Sequence, residues 1–435
     1  MNSDKPERPG DDEVEVDIQP SALSTDPVAS HDPYRALRFR DFRLLFLGTF
    51  IASIGEQMVN VAIGWELYNR TGSSLALGFV GLVQMIPTLL LSLPAGYLAD
   101  RFNRKRIVLI TLLVIMLSSL GLTVLSFLHG PVLFIYACLL VFGIGVAFNN
   151  PASASLLAQT VPEDAYSSAA TWSSSSWQLA SVVGPALGGL IIALSGSATP
   201  VYALNSGAIL IFTLLIALLR TRPRGTTVAP PTKMLASLLE GVSFMRRSQI
   251  ILAAISLDLF AVLLGGATTL LPVFAKDILH VGPAGLGWLR AAPSIGAICV
   301  AFCLAYLPPF KHAGRTLLLA VAGFGLATIV FGLSRSFWLS LLMLFLLGGF
   351  DNISVVIRST LLLLRVPDVM RGRISAVDNI FVGASNELGG FESGLTAQLF
   401  GPTLSVVGGG VGTILVVLLV ALLSSEMRRL GALRG

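Results

Sequence analysis

Four carboxylates stand deep inside long apolar segments of this sequence, where an ionised side chain is costly. They are Glu56, Asp258, Asp351 and Glu387. Counted at 1.5 Å per residue from the ends of their segments, they reach depths of roughly 14–21 Å, near the middle of a bilayer. Because a carboxylate in a low-dielectric cavity favours its protonated form, these acids are candidate binding groups for a proton or for cationic cargo.

The same kind of acid can instead pair with a cation and hold helices together. Arg358 and Asp378 lie at similar heights in adjacent segments and are predicted to form such a structural pair. Glu56 has no cation at its depth in the first six segments, which favours a functional role for it. For the other three acids both roles stay open, and Arg290 is available to neutralise one of them.

Further polar and aromatic residues interrupt the apolar segments. Amides and charges there can bind a polar ligand, and tryptophans can stack on an aromatic one. A polar stripe packed against protein would give the same pattern. The candidate cavity-lining residues are Asn149, Asn150, Trp172, Trp177, Gln178, Arg290, Asn386 and Glu392.

The stretch 96–106 joins two apolar segments through one carboxylate and several cations. Its candidate functional residues are Gly96, Asp100, Arg101, Arg104 and Lys105. A carboxylate at this position can accept hydrogen bonds from a helix N-terminus, and a small residue lets neighbouring helices approach closely. A plain topogenic loop, whose cations only fix the orientation, is the alternative.

A second motif lies inside the fifth apolar segment and consists of Gly184, Pro185, Gly188 and Gly189. Proline within a helix frees a backbone carbonyl and bends the helix, while glycine allows tight packing. A kinked packing helix without a role in transport would show the same residues.

Other kinds of chemistry are not supported. The sequence has no phosphate-binding glycine loop, its histidines have no metal-ligand spacing, and no nucleophilic triad is visible. We therefore predict no enzymatic activity, no metal and no cofactor. The net charge of +5 does not indicate nucleic-acid binding, because the cations lie at the edges of apolar segments.

The composition indicates that the segments carrying these residues lie in a membrane. Apolar residues make up 54% of the chain, charged residues 12%, and the mean hydropathy is +0.80. We predict an all-α membrane protein with twelve transmembrane helices. The predicted spans are 44–68, 76–99, 107–128, 131–157, 167–194, 199–219, 249–274, 283–307, 315–334, 337–364, 374–399 and 404–424.

The spans are predicted to form two pseudo-symmetric six-helix bundles. Gly81 and Pro87 match Gly287 and Pro293 at the offset that also relates the glycines of the fifth and eleventh spans. Repeated halves are a transporter architecture with the site at their interface. The predicted units are a disordered acidic tail (1–33), an N-terminal bundle (34–219), a linker (220–248), a C-terminal bundle (249–424) and a tail (425–435).

The distribution of cations predicts the orientation in the membrane. Three cations, Arg70, Lys276 and Arg335, fall in loops on one side, and nearly all the others fall in loops or tails on the opposite side. Because Lys and Arg are retained on the cytoplasmic side, both termini are predicted to be cytoplasmic. The expected location is the bacterial plasma (inner) membrane.

The motifs together resemble the enterobactin-exporter and macrolide-efflux branch of the major facilitator superfamily. The resemblance covers most of residues 34–424 and rests on the 96–106 loop, the Gly184–Gly189 motif, and the segments Trp65–Ser73 and Pro367–Ala376. It implies that the Asp100 loop acts in the switch between access states by docking near Arg371–Ile374. Asn103 stands where the family has its last loop glycine, a substitution that the tolerance of Asn for positive φ accommodates.

The resemblance and the intramembrane acids lead to one functional hypothesis. We expect a monomeric secondary active transporter that works by alternating access and uses the proton gradient as its energy source. As an antiporter it would export drugs or siderophore-like amphipathic compounds, so its partners would be a small-molecule cargo and the lipid bilayer, with no nucleic acid. The alternatives are an importer or lipid flippase of the same fold, and a non-transporting membrane sensor or scaffold.

Overall fold

The computed structural model describes residues 32–220, 240, 242–245, 248–308 and 310–431. Nearly all of the predicted acidic tail (1–33) and most of the predicted linker (220–248) lie outside the described residues. The described residues are mostly helical and contain no strand. The prediction of an all-α membrane fold is therefore confirmed.

The described residues contain twelve long helices, joined in places by short helical segments. We call α1–α6 the first half and α7–α12 the second half. The first half consists of α1 (Arg40–Thr71), α2 (Ser74–Arg101), α3 (Arg104–Phe127), α4 (Val132–Thr160), α5 (Tyr166–Ser195) and α6 (Thr199–Ala217). The second half consists of α7 (Gln249–Leu264), α8 (Gly282–Tyr306), α9 (Ala313–Leu333), α10 (Phe337–Arg365), α11 (Asp368–Phe400) and α12 (Pro402–Leu423), and α13 (Ser425–Arg429) follows.

Among the described residues, 11 helical segments are long and apolar enough to cross a membrane. The exception is α11, which has 33 residues but carries charges along its length, including Asp378, Glu387 and Glu392. Large apolar side chains such as Leu133, Leu194 and Leu422 are exposed on the outside of the bundle. An exposed apolar surface of this kind is what contact with lipid requires.

Helix ends follow local sequence signals. Gly72 ends α1 with φ 62°, a left-handed conformation that glycine adopts without strain. The loop between α2 and α3 corrects one expectation, because Asn103 has φ −64° and does not use the positive φ that we expected of it. It is instead the N-cap of α3, and its side chain accepts a hydrogen bond from the Arg106 N–H at 3.3 Å.

The predicted seventh span, 249–274, is not one continuous helix. It breaks after Leu264 at Gly265 and Gly266 and continues as a 3-10 turn (Ala267–Leu270) and a short α-helical turn (Leu271–Val273). It ends in a π-helical stretch (Phe274–Ile278). The break coincides with a close approach of α11, since a Cβ atom on Gly266 would lie 2.6 Å from the Gly389 carbonyl oxygen.

Packing joins the two halves through two helix pairs. Within the first half α1 packs on α5 and α6, and α4 packs on α2 and α3. Within the second half α8 and α9 pack on α10, and α12 packs on α9. The halves meet where α5 packs on α8 and where α2 packs on α11. These two pairs are equivalent in the internal repeat, because α2 corresponds to α8 and α5 corresponds to α11.

Successive helices run in opposite directions, so α1 begins and α12 ends on the same side of the bundle. We call this the terminus side and the opposite one the far side. The α2–α3 loop lies on the terminus side, where the Lys105 ammonium donates to the Leu219 carbonyl oxygen beyond the end of α6 at 2.8 Å. The α3–α4 loop lies on the far side, where the Arg70 guanidinium donates to the Gly130 carbonyl oxygen at 3.0 Å.

Candidate functional site

The Gly-Pro motif of α5 has two packing faces. On one face a Cβ atom on Gly184 would lie 2.5 Å from the Gln57 Cβ, and one on Gly188 would lie 2.9 Å from the Met58 Cα, both on α1. On the other face a Cβ on Gly189 would lie 2.9 Å from the Cα and the backbone nitrogen of Gly287 on α8. The motif therefore joins α5 both to its own half and to the second half.

The opposite pair of helices, α2 and α11, has an equivalent contact. A Cβ atom on Gly394 would lie 2.9 Å from the Gly78 Cα and 2.8 Å from the Ser74 carbonyl oxygen. The α5–α8 and α2–α11 contacts both lie near the far side, and we call them the two glycine seams. At these seams the backbones of the two halves touch, so the far side of the bundle is closed.

Polar side chains link the halves next to the seams, and sequence reasoning missed them. The Tyr68 hydroxyl donates to the Asp277 carboxylate, and the Lys276 ammonium donates to the Asn69 amide oxygen at 2.8 Å. The hydroxyl of Ser73 donates to the amide oxygen of Gln398 at 3.0 Å. We call these three links the far-side clasp. Three of its members, Tyr68, Asn69 and Ser73, lie in the Trp65–Ser73 segment.

Glu56 and Glu387 come from different halves and line the same cavity. This α2–α11 cavity has a volume of about 340 Å³ and is also lined by Gln84, Thr88, Asn379 and apolar residues of α2, α4 and α11. The side chain of Glu56 is exposed and that of Glu387 is half-buried. The Glu387 carboxylate lies against Gly81, whose missing side chain leaves room for it.

A second cavity lies between α5 and the second half and also has a volume of about 340 Å³. We call it the α5–α10 cavity. Four of the predicted residues line it, namely Asp351, Trp177, Gln178 and Asn386, together with Asn352 and the backbone around the α7 break. A carboxylate, three amides and an indole ring facing one cavity can bind a ligand that is both polar and aromatic.

Asp258 lies in neither of these cavities. Its carboxylate forms a buried ion pair with Arg358, and the two side chains are 6% and 7% exposed. Asp378, which we predicted to pair with Arg358, is further away, with 3.9 Å between its Oδ1 and the Arg358 Nε. Arg358 therefore serves two carboxylates, and Asp351 interacts electrostatically with the pair of Arg358 and Asp258.

Several predicted cavity-lining residues take other positions. The Trp172 indole N–H donates to the Pro33 carbonyl oxygen at 2.9 Å, which ties the N-terminal segment to α5. Asn149 is buried and its amide oxygen accepts from the Ser153 hydroxyl one turn later, whereas Asn150 is exposed. The Arg290 guanidinium donates to the Thr268 carbonyl oxygen at 3.4 Å. It also interacts electrostatically with Glu387. Glu392 is half-buried and does not line either cavity.

Three cations of the 96–106 loop bind carbonyl or hydroxyl oxygens of the first half. Arg104 Nε donates to Ala99 at 3.2 Å, and Lys105 donates to both Ala217 and Leu219 at 2.8 Å. The Arg101 guanidinium donates to the hydroxyl of Tyr97 at 2.8 Å. The loop therefore joins the terminus-side ends of α2 and α6, and docking of Asp100 on the second half stays a prediction.

The arrangement suits binding and movement of a solute. Two cavities with polar and apolar side chains lie between halves that meet closely at one end, and acids from both halves face one of the cavities. Among the described residues no group of three or more His, Cys, Asp or Glu side chains is placed to hold a metal ion.

Comparison with known proteins gives the family. A family model described as a transmembrane secretion effector matches residues 31–432. The enterobactin exporter EntS of Citrobacter koseri is 27% identical over 389 residues, which cover 89% of this chain and 92% of that protein. The enterobactin exporter EntS of Escherichia coli is 26% identical over 399 residues, again 89% of this chain and 92% of that protein.

Solved structures share the fold. A bacterial homolog of the human lysosomal transporter Spinster, in an inward-facing and occupied conformation, has a TM-score of 0.71 at 15% identity. It covers 91% of this chain and 99% of its own. A POT family transporter in complex with 5-aminolevulinic acid has a TM-score of 0.72 at 12% identity, with 89% and 97% covered.

The membrane-spanning helices and the exporter relatives imply a multi-pass protein of the inner membrane. The family model matches nearly the whole chain, and the structural neighbours are transporters. This protein therefore belongs to the transmembrane secretion effector family of the major facilitator superfamily and is a membrane transporter, not an enzyme.

Proposed function

We propose that this transporter is a proton-coupled exporter of siderophore-like or drug-like amphipathic compounds, working by alternating access. The observation that carries the proposal is the shared cavity of Glu56 and Glu387, one from each half. When the two halves tilt relative to each other, a site built from both becomes accessible from the other side of the membrane. That motion is the basis of alternating access in transporters built from repeats.

The acids supply the coupling in this proposal. A carboxylate in the cavity takes up a proton from the side with the higher proton concentration and releases it when the cavity opens to the other side. Cationic or hydrogen-bonding cargo competes for the same oxygens, so that the two solutes move in opposite directions. The α5–α10 cavity, with Asp351 and Trp177, provides a second surface for the cargo.

Direction and orientation are part of the proposal. The relatives named as enterobactin exporters favour outward transport of a siderophore-like cargo. We place the terminus side in the cytoplasm, because the exposed cations Arg40, Arg106, Arg365 and Arg428 lie there. The closed far side then corresponds to an inward-facing state, and the protein acts as a monomer.

The test uses proteoliposomes that contain the purified full chain and enterobactin as the probe. An imposed pH gradient should drive enterobactin uptake into inside-out vesicles by the wild type. Glu56→Gln should abolish the stimulation by the gradient, because the amide cannot carry the proton. Glu163→Gln, at an exposed site before α5, is the matched control and should behave like the wild type.

Three outcomes contradict the proposal or part of it. If the pH gradient drives equal flux in the wild type and in Glu56→Gln, Glu56 does not couple proton movement to transport. Flux in the opposite direction identifies an importer. Binding of enterobactin without any flux indicates a sensor or scaffold.

A further inference from the structure

A third cavity lies on the terminus side, away from both cavities of the proposed transport site. It has a volume of about 490 Å³ and lies where the start of α9, the end of α12 and α13 meet. Three arginines and three apolar residues line it, namely Arg315, Arg428, Arg429, Leu318, Leu319 and Ala421. The pathway does not require a cationic cavity at this position.

The short helix α13 is fixed to the bundle, and it holds two of the arginines in place. Met427 is fully buried in a cluster with α9 residues. The backbone N–H of Ala313 donates to the Gly431 carbonyl oxygen at 3.2 Å, and that of Gly314 donates to the Leu430 carbonyl oxygen at 3.4 Å. Arg428 and Arg429 therefore extend from a docked backbone.

The three guanidinium groups are available to a ligand. All three arginines are exposed, and within the part of the chain that the structure describes their side chains form no hydrogen bond or ion pair. Guanidinium is suited to bidentate recognition of phosphate, and three positive charges around one cavity favour an anion. The three cations have no neutralising carboxylate among the residues that line the cavity.

The apolar part of the cavity continues onto the lipid-facing surface. Leu319 lies one turn beyond Arg315 on α9 and is 72% exposed. Exposed leucines follow along both helices, with Leu326 on α9 and Leu419 on α12. A ligand that fits has an anionic head at the edge of the membrane and an apolar chain directed toward its centre. An anionic phospholipid has this structure.

We propose that this cavity binds the phosphate head group of an anionic phospholipid. Arg315, Arg428 and Arg429 contact the phosphate, and an acyl chain lies along Leu319 and the exposed surface of α9 and α12. Basic pockets between helices at a membrane surface are a known mode of head-group recognition. The inference does not depend on cargo, direction or proton coupling.

The experiment measures lipid binding to the purified full chain in detergent by native mass spectrometry, with phosphatidylglycerol as the probe. The combined variant Arg315→Gln, Arg428→Gln and Arg429→Gln should bind phosphatidylglycerol roughly 100-fold more weakly than the wild type. This follows from about 1 kcal/mol for each arginine at a membrane surface and a tenfold change per 1.4 kcal/mol. The single variant Arg429→Gln, which alters one exposed side chain, should lose about fivefold.

The matched control removes the same charge elsewhere on the terminus side. Arg40→Gln, Arg106→Gln and Arg365→Gln combined affect exposed arginines that do not line the cavity and should leave the affinity unchanged. The proposal is wrong if the control and the cavity variant lose affinity equally. It is also wrong if phosphatidylcholine binds as tightly as phosphatidylglycerol, or if inorganic phosphate alone displaces the lipid at equal concentration.

Discussion

The glycine seam between α5 and α8 predicts how the closed far side responds to one added methyl group. In Gly189→Ala the new Cβ would lie 2.9 Å from both the Cα and the backbone nitrogen of Gly287. Carbon atoms in contact prefer about 3.5–4.0 Å, so the two helices must separate by roughly 0.5–1 Å. Backbone atoms cannot turn aside as a flexible side chain does. The far side should therefore open more readily.

The expected size follows from the cost of overpacking. Adding a methyl group to a well-packed contact costs about 1–3 kcal/mol. Only the closed state incurs this cost, so the equilibrium between closed and open far side should shift by about 5–150-fold. The shift is large enough to detect in a population assay.

The assay measures disulfide cross-linking across the other seam. Ser73→Cys and Gln398→Cys replace a hydrogen-bonded pair that joins the halves on the far side, in a background where Cys138, Cys299 and Cys303 are serine. Gly189→Ala should lower the cross-linking yield in this background.

Two controls separate the seam from general damage. Gly207→Ala, on α6, adds a methyl group where no atom lies within 4 Å and should leave the yield unchanged. Gly188→Ala presses on Met58 within the first half and should reduce thermal stability without a matching change in yield. If Gly189→Ala gives the same yield as Gly207→Ala, close backbone approach does not determine the closed state.

Two further predictions concern polar contacts. Arg358→Met leaves buried Asp258 without its cation and should lower the free energy of unfolding by about 3–5 kcal/mol, whereas Arg365→Met, at an exposed site on the same helix, should have little effect. Thermal unfolding in detergent checks this, and equal melting temperatures for the two variants would refute it. Tyr68→Phe removes the hydrogen bond to the Asp277 carboxylate and should shift the equilibrium toward the open far side by roughly tenfold or more, since such bonds contribute about 1.5–3 kcal/mol. The cross-linking yield across the far side should therefore fall. An unchanged yield would show that this bond does not hold the halves together.

Most of the fold could be predicted from the sequence, because the length of an apolar segment determines whether it can cross a membrane. Most of the predicted span ends agree with the observed helices to within a few residues. The break in α7 was missed, since Gly265 and Gly266 lie in an apolar segment long enough to cross the membrane without interruption. The break coincides with the close approach of α11, a contact that no local pattern reveals.

The sequence predicted how deep each site residue lies in the membrane, but not which neighbouring helix its side chain faces. Counting residues placed Glu56 and Glu387 at similar depths, and the structure brings them to one cavity. The same counting paired Arg358 with Asp378, whereas its closer partner is Asp258 on α7. A long arginine side chain reaches a partner at a different height, and depth alone does not say which neighbour it faces.

The contacts of the far-side clasp could not be predicted from the sequence for a different reason. Tyr68, Asn69 and Ser73 are polar residues at a helix end, where sequence favours contact with water or lipid head groups. Their partners Asp277, Lys276 and Gln398 lie about 200 or more residues away in the chain. Only the packing of the two halves brings such distant segments together.

The position of Trp177 gives the protein a built-in optical reporter. The chain has 5 tryptophans, and Trp177 lines the α5–α10 cavity while Trp172 is held against Pro33. In a variant that keeps Trp177 alone, fluorescence quenching would register the arrival of an aromatic ligand in that cavity. Occupancy could then be followed in real time without a dye or an isotope.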